Sequence, residues 1–237
     1  MMTNEKFQIF IFHFAGGSRY SFNFLRPYIG PEFDVIMIEL PGRGARMNEK
    51  LLYTRAAAAD DVYRQVLKHR NGQPYVLFGH SMGAVMAYLI TREFEMCNDF
   101  PIALIVSGNP GPNIQLLPKR YMLPREEFVE ELNKLGGFTK ELLLSVDLMN
   151  LFLPIIRADF EIAEKDEFSA LEGEIMSPVY AIMGSGESFA DRIDNWKLYT
   201  KGSYEARVFR GDHFFIYSYP EEIAAIIRNH FFSYKKV

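Results

Sequence analysis

Tyr75-Val76-Leu77-Phe78-Gly79-His80-Ser81-Met82-Gly83-Ala84 is the stretch whose reading decides the fold. Four apolar residues of strand type run into a Gly-x-Ser-x-Gly pattern. From Met82 to Glu93, Val85, Met86, Leu89 and Ile90 then recur at helical spacing. Strand, sharp turn and helix in that order are the context in which a serine is presented at the end of a sheet. Ser81 is therefore the candidate nucleophile. Gly79 and Gly83 remove the side chains that would collide across so tight an elbow, and the helix that follows aims its N-terminus at developing negative charge.

Outward from this unit the same alternation repeats. Strand-like runs occur at Phe7–Phe12, Val35–Ile38, Ala103–Ser107, Val179–Met183 and Glu205–Phe209. Their continuous apolar character suits strands covered on both faces. Thr54–His69 reads as a helix, with Ala58, Val62, Val66 and Leu67 near helical spacing, and Pro220 followed by Glu221 and Glu222 opens a last helix running to about His230. Strands alternating with helices predict a mostly parallel α/β sheet in a single domain spanning residues 1–237. Between Ser107 and Pro178 no strand is legible. Helical patterns at Arg125–Leu135, Lys140–Leu153 and Ile156–Glu164, punctuated by Pro118, Pro124, Gly136-Gly137 and Pro154, predict a helical insertion over residues 112–172. Its place in the chain puts it over the ligand-binding end of the sheet, as a lid.

Composition excludes several classes. The 237 residues carry a net charge of −4 with no run of five or more Lys or Arg, which argues against a nucleic-acid partner. The most apolar stretch, Val76–Ile90, is broken by His80 and Ser81 and is too short to span a bilayer, and Met1–Gln8 lacks a signal-peptide pattern. A cytoplasmic protein without a membrane partner is expected. The single cysteine, Cys97, reads as a small buried apolar residue. A monomer is the default, since neither a heptad repeat nor an exposed strand edge is apparent.

A serine needs a base. His80 would point away from its neighbour Ser81, while His69 and His230 lie on helices away from the sheet end. His13, in Phe12-His13-Phe14-Ala15-Gly16-Gly17, is better placed to shape a loop than to take a proton. His213, in Phe209-Arg210-Gly211-Asp212-His213-Phe214-Phe215, follows the last strand and reaches the same sheet end as Ser81, so it is the candidate base. The acid falls most naturally in Gly184-Ser185-Gly186-Glu187-Ser188-Phe189-Ala190-Asp191. Glu187, first out of the strand, is favoured over Asp191; Asp159 in the insertion is an outside candidate, and Asp212 is geometrically poor beside the base. Backbone donors for an oxyanion would come from Met82 and Ala15, with Gly16-Gly17 allowing the tight turn.

Six motifs in order carry a resemblance over nearly the whole chain: Phe14-Ala15-Gly16-Gly17-Ser18, Leu40-Pro41-Gly42-Arg43-Gly44-Ala45-Arg46, Gly79-His80-Ser81-Met82-Gly83-Ala84, Leu135-Gly136-Gly137, Leu153-Pro154-Ile155-Ile156-Arg157-Ala158-Asp159-Phe160 and Gly211-Asp212-His213-Phe214-Phe215. The sequence resembles the type II thioesterases of nonribosomal peptide and polyketide synthesis. That resemblance implies an α/β-hydrolase fold and a stand-alone hydrolase. It would clear unwanted acyl groups from the 4′-phosphopantetheine arms of carrier proteins through a serine acyl-enzyme, with no metal or cofactor. Ser81, His213, Met82 and Ala15 match the family's nucleophile, base and oxyanion donors. The acid departs, because the family usually has aspartate where this chain has Glu187. An esterase or acyltransferase of the same fold, and a binding protein that has lost turnover, are the competing readings. Met149, Leu151, Phe152, Leu153 and Ile156 are candidates for an acyl pocket, although a helical apolar stripe is more often core. Arg19, Arg43 and Arg46 are candidates to meet an acidic carrier or a phosphate.

Overall fold

A computed structural model describes residues 6–114, 119–137, 145–165 and 173–234. Six strands, β1 (Phe7–Phe12), β2 (Phe33–Ile38), β3 (Tyr75–His80), β4 (Ala103–Ser107), β5 (Val179–Gly184) and β6 (Tyr204–Phe209), form one sheet in the order β2-β1-β3-β4-β5-β6, every pair parallel. The order reverses between β1 and β3. In open parallel sheets such a switch point leaves a crevice at the carboxyl ends of the strands, and Ser81 directly follows β3 there.

Among the described residues the helices are α1 (Arg55–His69), α2 (Met82–Met96), α3 (Arg125–Leu135), α4 (Val146–Glu164) and α5 (Pro220–Tyr234), with 3-10 segments between. The apolar runs of the sequence are continuous because successive side chains enter two different cores. Phe10, Phe12, Tyr75, Leu77, Leu104 and Val106 pack with Ala58, Val62 and Val66 of α1 and with the buried face of α2. Ile9, Ile11, Val76, Phe78 and Ile105 pack on the opposite face with Ile223, Ile227 and Phe231 of α5. α1 begins where Thr54 Oγ1 accepts the Ala57 N–H at 3.2 Å, an N-cap of the usual kind.

The edge strand β6 departs from the expectation that no strand edge is open. Glu205, Ala206, Arg207 and Val208 are all exposed. Glu205 and Arg207 put charge on that edge, which discourages pairing with another chain. Cys97 is exposed, not buried, because it caps α2 past its last apolar turn. Among the described residues no helix is long and apolar enough to cross a membrane.

The insertion differs from its sequence reading at Pro154. The two patterns Lys140–Leu153 and Ile156–Glu164 join into the single helix α4, which runs through the proline, while residues 140–144 lie outside the described residues. Met149, Leu153, Ile156 and Phe160 form an unbroken stripe that packs with Phe128 and Leu132 of α3 in a third core. That packing outweighs an interior proline's cost of about 3 kcal/mol, and the exposed Pro154 ring turns to solvent. Pro154→Ala restores the missing N–H, so we expect stability to rise by about 1–3 kcal/mol. Urea unfolding of the two proteins checks this.

Candidate active site

The turn at Ser81 is the geometric centre of the site. Ser81 holds φ 57° and ψ −118°, a left-handed conformation rare for a residue with a side chain. Its N–H donates to Ser107 O at 2.7 Å, and its carbonyl accepts from Ala84 N at 3.1 Å and Asn109 Nδ2 at 3.3 Å. The flanking glycines are required by contact. A Cβ on Gly79 would lie 2.0 Å from Gly83 O, and one on Gly83 would lie 2.2 Å from Phe12 O. α2 therefore sits hard against the ends of β1 and β3, and Met82 opens it with an N–H that has no partner one turn back.

His213 and Glu187 are brought together from two separate loops. His213 Nδ1 is 2.6 Å from Glu187 Oε2, with both side chains largely buried. The other oxygen, Oε1, accepts the Gly184 N–H at 2.8 Å, so the carboxylate folds back on the end of β5. This return absorbs the additional methylene of a glutamate. With Nδ1–H donated to the carboxylate, Nε2 is left as the acceptor, the arrangement a general base needs. The other acids lie elsewhere. Asp191 is exposed beside Arg192, Asp159 is buried against Arg43, and the exposed Asp212 accepts the Phe214 N–H at 2.8 Å.

His80 does not face solvent. It is wholly buried, its Nδ1 is 2.8 Å from Ser107 Oγ, and its ring lies 4.8 Å from that of His213. Burial, followed by the His213 charge, pushes its pKa well below the ordinary imidazole range. It is thus a neutral platform beneath the His213 ring. His13 shapes the neighbouring loop, as its position suggests: Nδ1–H donates to Phe14 O at 2.8 Å and Nε2 accepts the Leu40 N–H at 3.3 Å. Burial first, and the nearby Arg43 charge second, lower its pKa to about 4. His69 is exposed, its Nδ1 2.8 Å from Gln65 O, and His230 packs near Tyr180 on the far helix.

The loop after β1 shows which amide is free. Gly16 N–H donates to Asp159 Oδ2, Gly17 N–H to Phe14 O, Ser18 N–H to Ser21 Oγ and Arg19 N–H to Glu39 Oε1, at 2.7, 2.9, 2.9 and 3.0 Å. Ala15 N–H makes no hydrogen bond among the described residues. Ala15, Met82, Ser81, Glu187 and His213 all line one cavity of about 230 Å³, together with Leu135, Phe160 and Glu164 of the insertion.

None of the five acyl-pocket candidates lines the cavity, and the stripe among them is core, the reading the sequence favoured. Met149, Leu153 and Ile156 fill the insertion's own core, while Leu151 and Phe152 are exposed. Phe160 and Ala163, one and two turns further along α4, line the cavity instead, beside Ile114, Val85, Met183 and Phe189. Arg43 is also not a surface group: it is 5% exposed and paired to Asp159. Arg46 is held by Asp61 and Glu49 at 2.7 and 2.6 Å, and only Arg19 is left exposed. Sequence reading missed the buried Trp196, whose Nε1–H donates to Asn109 O at 2.8 Å and so steadies the residue that contacts Ser81 O. A lone tryptophan after β5 was the available signal.

A family model described as "Thioesterase domain" matches residues 7–231. The chain is 29% identical over 216 residues to the gramicidin S biosynthesis protein GrsT of Aneurinibacillus migulanus, covering 90% of this chain and 84% of that protein. The type II thioesterase BorB of the borrelidin biosynthetic cluster superposes with a TM-score of 0.85 at 30% identity, over 97% of this chain and 94% of BorB. YbtT, a type II thioesterase from the yersiniabactin NRPS/PKS pathway, does so with a TM-score of 0.86 at 26% identity, over 98% of this chain and 94% of YbtT. The α/β-hydrolase architecture expected from the sequence is borne out by these superpositions.

The neutral burial of His13 has a pH signature. Its pKa falls from 6.5 to about 4 on folding, so the unfolded chain takes up the proton first as pH drops. Stability present above pH 6.5 is then lost between pH 6.5 and about 4, by about 3 kcal/mol from this group. Urea unfolding across that range is expected to show a shallower pH dependence in His13→Gln, by that amount. Parallel curves for the two proteins would count against the assignment.

Proposed function

Because the chain belongs to the thioesterase-domain family, as a type II thioesterase of nonribosomal peptide and polyketide biosynthesis, we propose that it removes stalled or aberrant acyl groups from the 4′-phosphopantetheine arm of carrier proteins. The observation that carries this reading is the 2.6 Å contact between His213 and Glu187 at the wall of the cavity that also holds Ser81 on its strained turn.

Ser81 Oγ attacks the thioester carbonyl carbon while His213 Nε2 takes its proton, and the imidazolium is stabilised by Glu187 through Nδ1–H. The carbonyl oxygen becomes an oxyanion that accepts hydrogen bonds from Met82 N–H and Ala15 N–H. The first is made available by the start of α2. The second is the amide that the loop leaves without a partner. Collapse of the intermediate breaks the C–S bond, and the pantetheine sulfur leaves with the proton held by His213. A water then attacks the acyl-serine, its proton passing to Nε2 and on to Ser81 Oγ, so that one thioester and one water give one acid and one thiol. A thiolate is a good leaving group, which keeps the demand on the acid modest.

The insertion supplies the roof. Leu135 from the end of α3 and Phe160 and Ala163 from α4 close over the serine, and we read residues 112–172 as a lid under which the acyl group lies. The mixed character of the walls suits an acyl chain of modest size. An esterase or acyltransferase would use the same groups, and comparison of matched oxygen esters separates it.

Intact-protein mass spectrometry of acetyl- and longer acyl-carrier proteins follows loss of the acyl mass directly. The wild type should deacylate them, Ser81→Ala should not, and Glu187→Gln should lose about 10²–10⁴-fold in kcat. Near-full activity in Glu187→Gln would place the acid elsewhere, and a marked preference for oxygen esters would overturn the carrier-protein reading.

A further inference from the structure

The mechanism above uses Ser81, His213, Glu187 and two amides, and leaves the most deeply buried charges near the site without a task. Asp159 of α4 is fully buried and Arg43 nearly so. They meet in a two-pronged pair, Arg43 Nη1 to Asp159 Oδ2 at 2.5 Å and Nη2 to Oδ1 at 2.7 Å. Neither residue lines the cavity. A buried ion pair is a poor source of stability, because desolvating two charges cancels most of their attraction, so its presence calls for another explanation.

Asp159 makes one further bond and Arg43 two, the second from Nε to Pro41 O at 3.5 Å, and one from each partner goes to the same loop. Asp159 Oδ2 accepts the Gly16 N–H at 2.7 Å, and Arg43 Nη1 donates to Gly17 O at 3.2 Å. Gly16 and Gly17 follow Ala15 directly and have no side chains with which to anchor themselves; Gly16 takes φ 79°. The glycine pair is therefore held from outside, by one residue from the loop after β2 and one from the insertion. With Gly16 N–H engaged by Asp159, the adjoining Ala15 N–H is the amide left without a partner.

We propose that Arg43 and Asp159 are a positioning pair for the oxyanion hole: through it α4 fixes the peptide plane next to Ala15 and so sets the direction of the Ala15 N–H. This rests on the role given to Ala15 in the proposed function. It makes α4 a fixed wall of the site. Any motion of the insertion that carried Asp159 away would break the pair and release the loop, so opening must occur in other parts of the insertion or inactivate the enzyme.

The test compares wild type with Arg43→Lys, which keeps the charge but not the two-pronged geometry. It also uses the double variant Arg43→Gln/Asp159→Asn, which keeps hydrogen-bonding groups without a buried unpaired charge. Competent sites are counted by fluorophosphonate labelling of Ser81 taken to completion. Then kcat and KM per labelled site are measured on an acyl-carrier protein, together with the affinity of an acyl trifluoromethyl ketone, which forms an oxyanion adduct on the serine. Loss of one oxyanion donor costs about 10²–10³ in kcat, so a displaced one should cost about 10–100-fold. We expect that loss in kcat with KM within about twofold, and a parallel loss in ketone affinity. A lowered Tm with per-site kcat and ketone affinity both unchanged would make the pair structural only and overturn the proposal. If the wild type fails to deacylate every carrier tried, the substrate assignment falls, and ketone affinity in the variants still decides whether the pair positions the loop.

Discussion

Everything at the catalytic end of this molecule depends on the left-handed turn at Ser81. A side-chain-bearing residue in such a conformation costs of order 1–3 kcal/mol and persists only where its surroundings over-determine it. Here they do. Gly79 and Gly83 let α2 press against the ends of β1 and β3 at separations where a single methyl group would overlap backbone oxygen. Ser107 O and Asn109 Nδ2 hold the two sides of the Ser81 peptide, and Trp196 in turn holds Asn109. The serine is exposed to the cavity because its backbone has no room to relax.

Around that turn the imidazoles divide into one at the cavity wall and two that are buried. His213 sits at the cavity wall with a carboxylate on Nδ1, whereas His80, one ring away, is sealed from water and held neutral. A charged His80 would oppose the imidazolium that the proposed reaction forms at His213. His13 is likewise neutral and spends both ring nitrogens on backbone groups of two loops. Two buried imidazoles thus serve as uncharged scaffolding, while His213 is the imidazole that lines the cavity.

The walls of the cavity come from two units with separate cores. The sheet and its flanking helices bury one set of side chains on each face, and α3 and α4 bury another between themselves. They are joined near the site by the Arg43–Asp159 pair and by cavity residues contributed from both. The joint combines this polar pair, which carries backbone groups of the loop after β1 that need partners wherever water is excluded, with Ile162 of α4, which is buried in the core beside α1 and α2.

The strands, the elbow and the two loops that bring His213 and Glu187 together were legible in the sequence, since each rests on local pattern: apolar runs bounded by glycines, a serine between two glycines after such a run, and a histidine just past the last strand. What failed to be legible depended on neighbours distant in the chain. Pro154 reads as a helix end until the stripe Met149, Leu153, Ile156 and Phe160 is seen against α3. Arg43 reads as a surface cation until Asp159, more than a hundred residues away, is placed beside it. Met149, Leu153 and Ile156 are core, the reading periodicity favours, but nothing local showed that Phe160 and Ala163 line the cavity, because periodicity finds a buried stripe without saying what it is buried against. By itself the sequence determined the α/β class of the fold and the elbow that presents Ser81, because apolar runs and glycine-bounded turns are patterns of local residue types. Tertiary structure decided the approach of Glu187 to His213, the Ala15 amide without a partner among the described residues and the walls of the cavity, because those are properties of groups brought together only when the chain closes on itself.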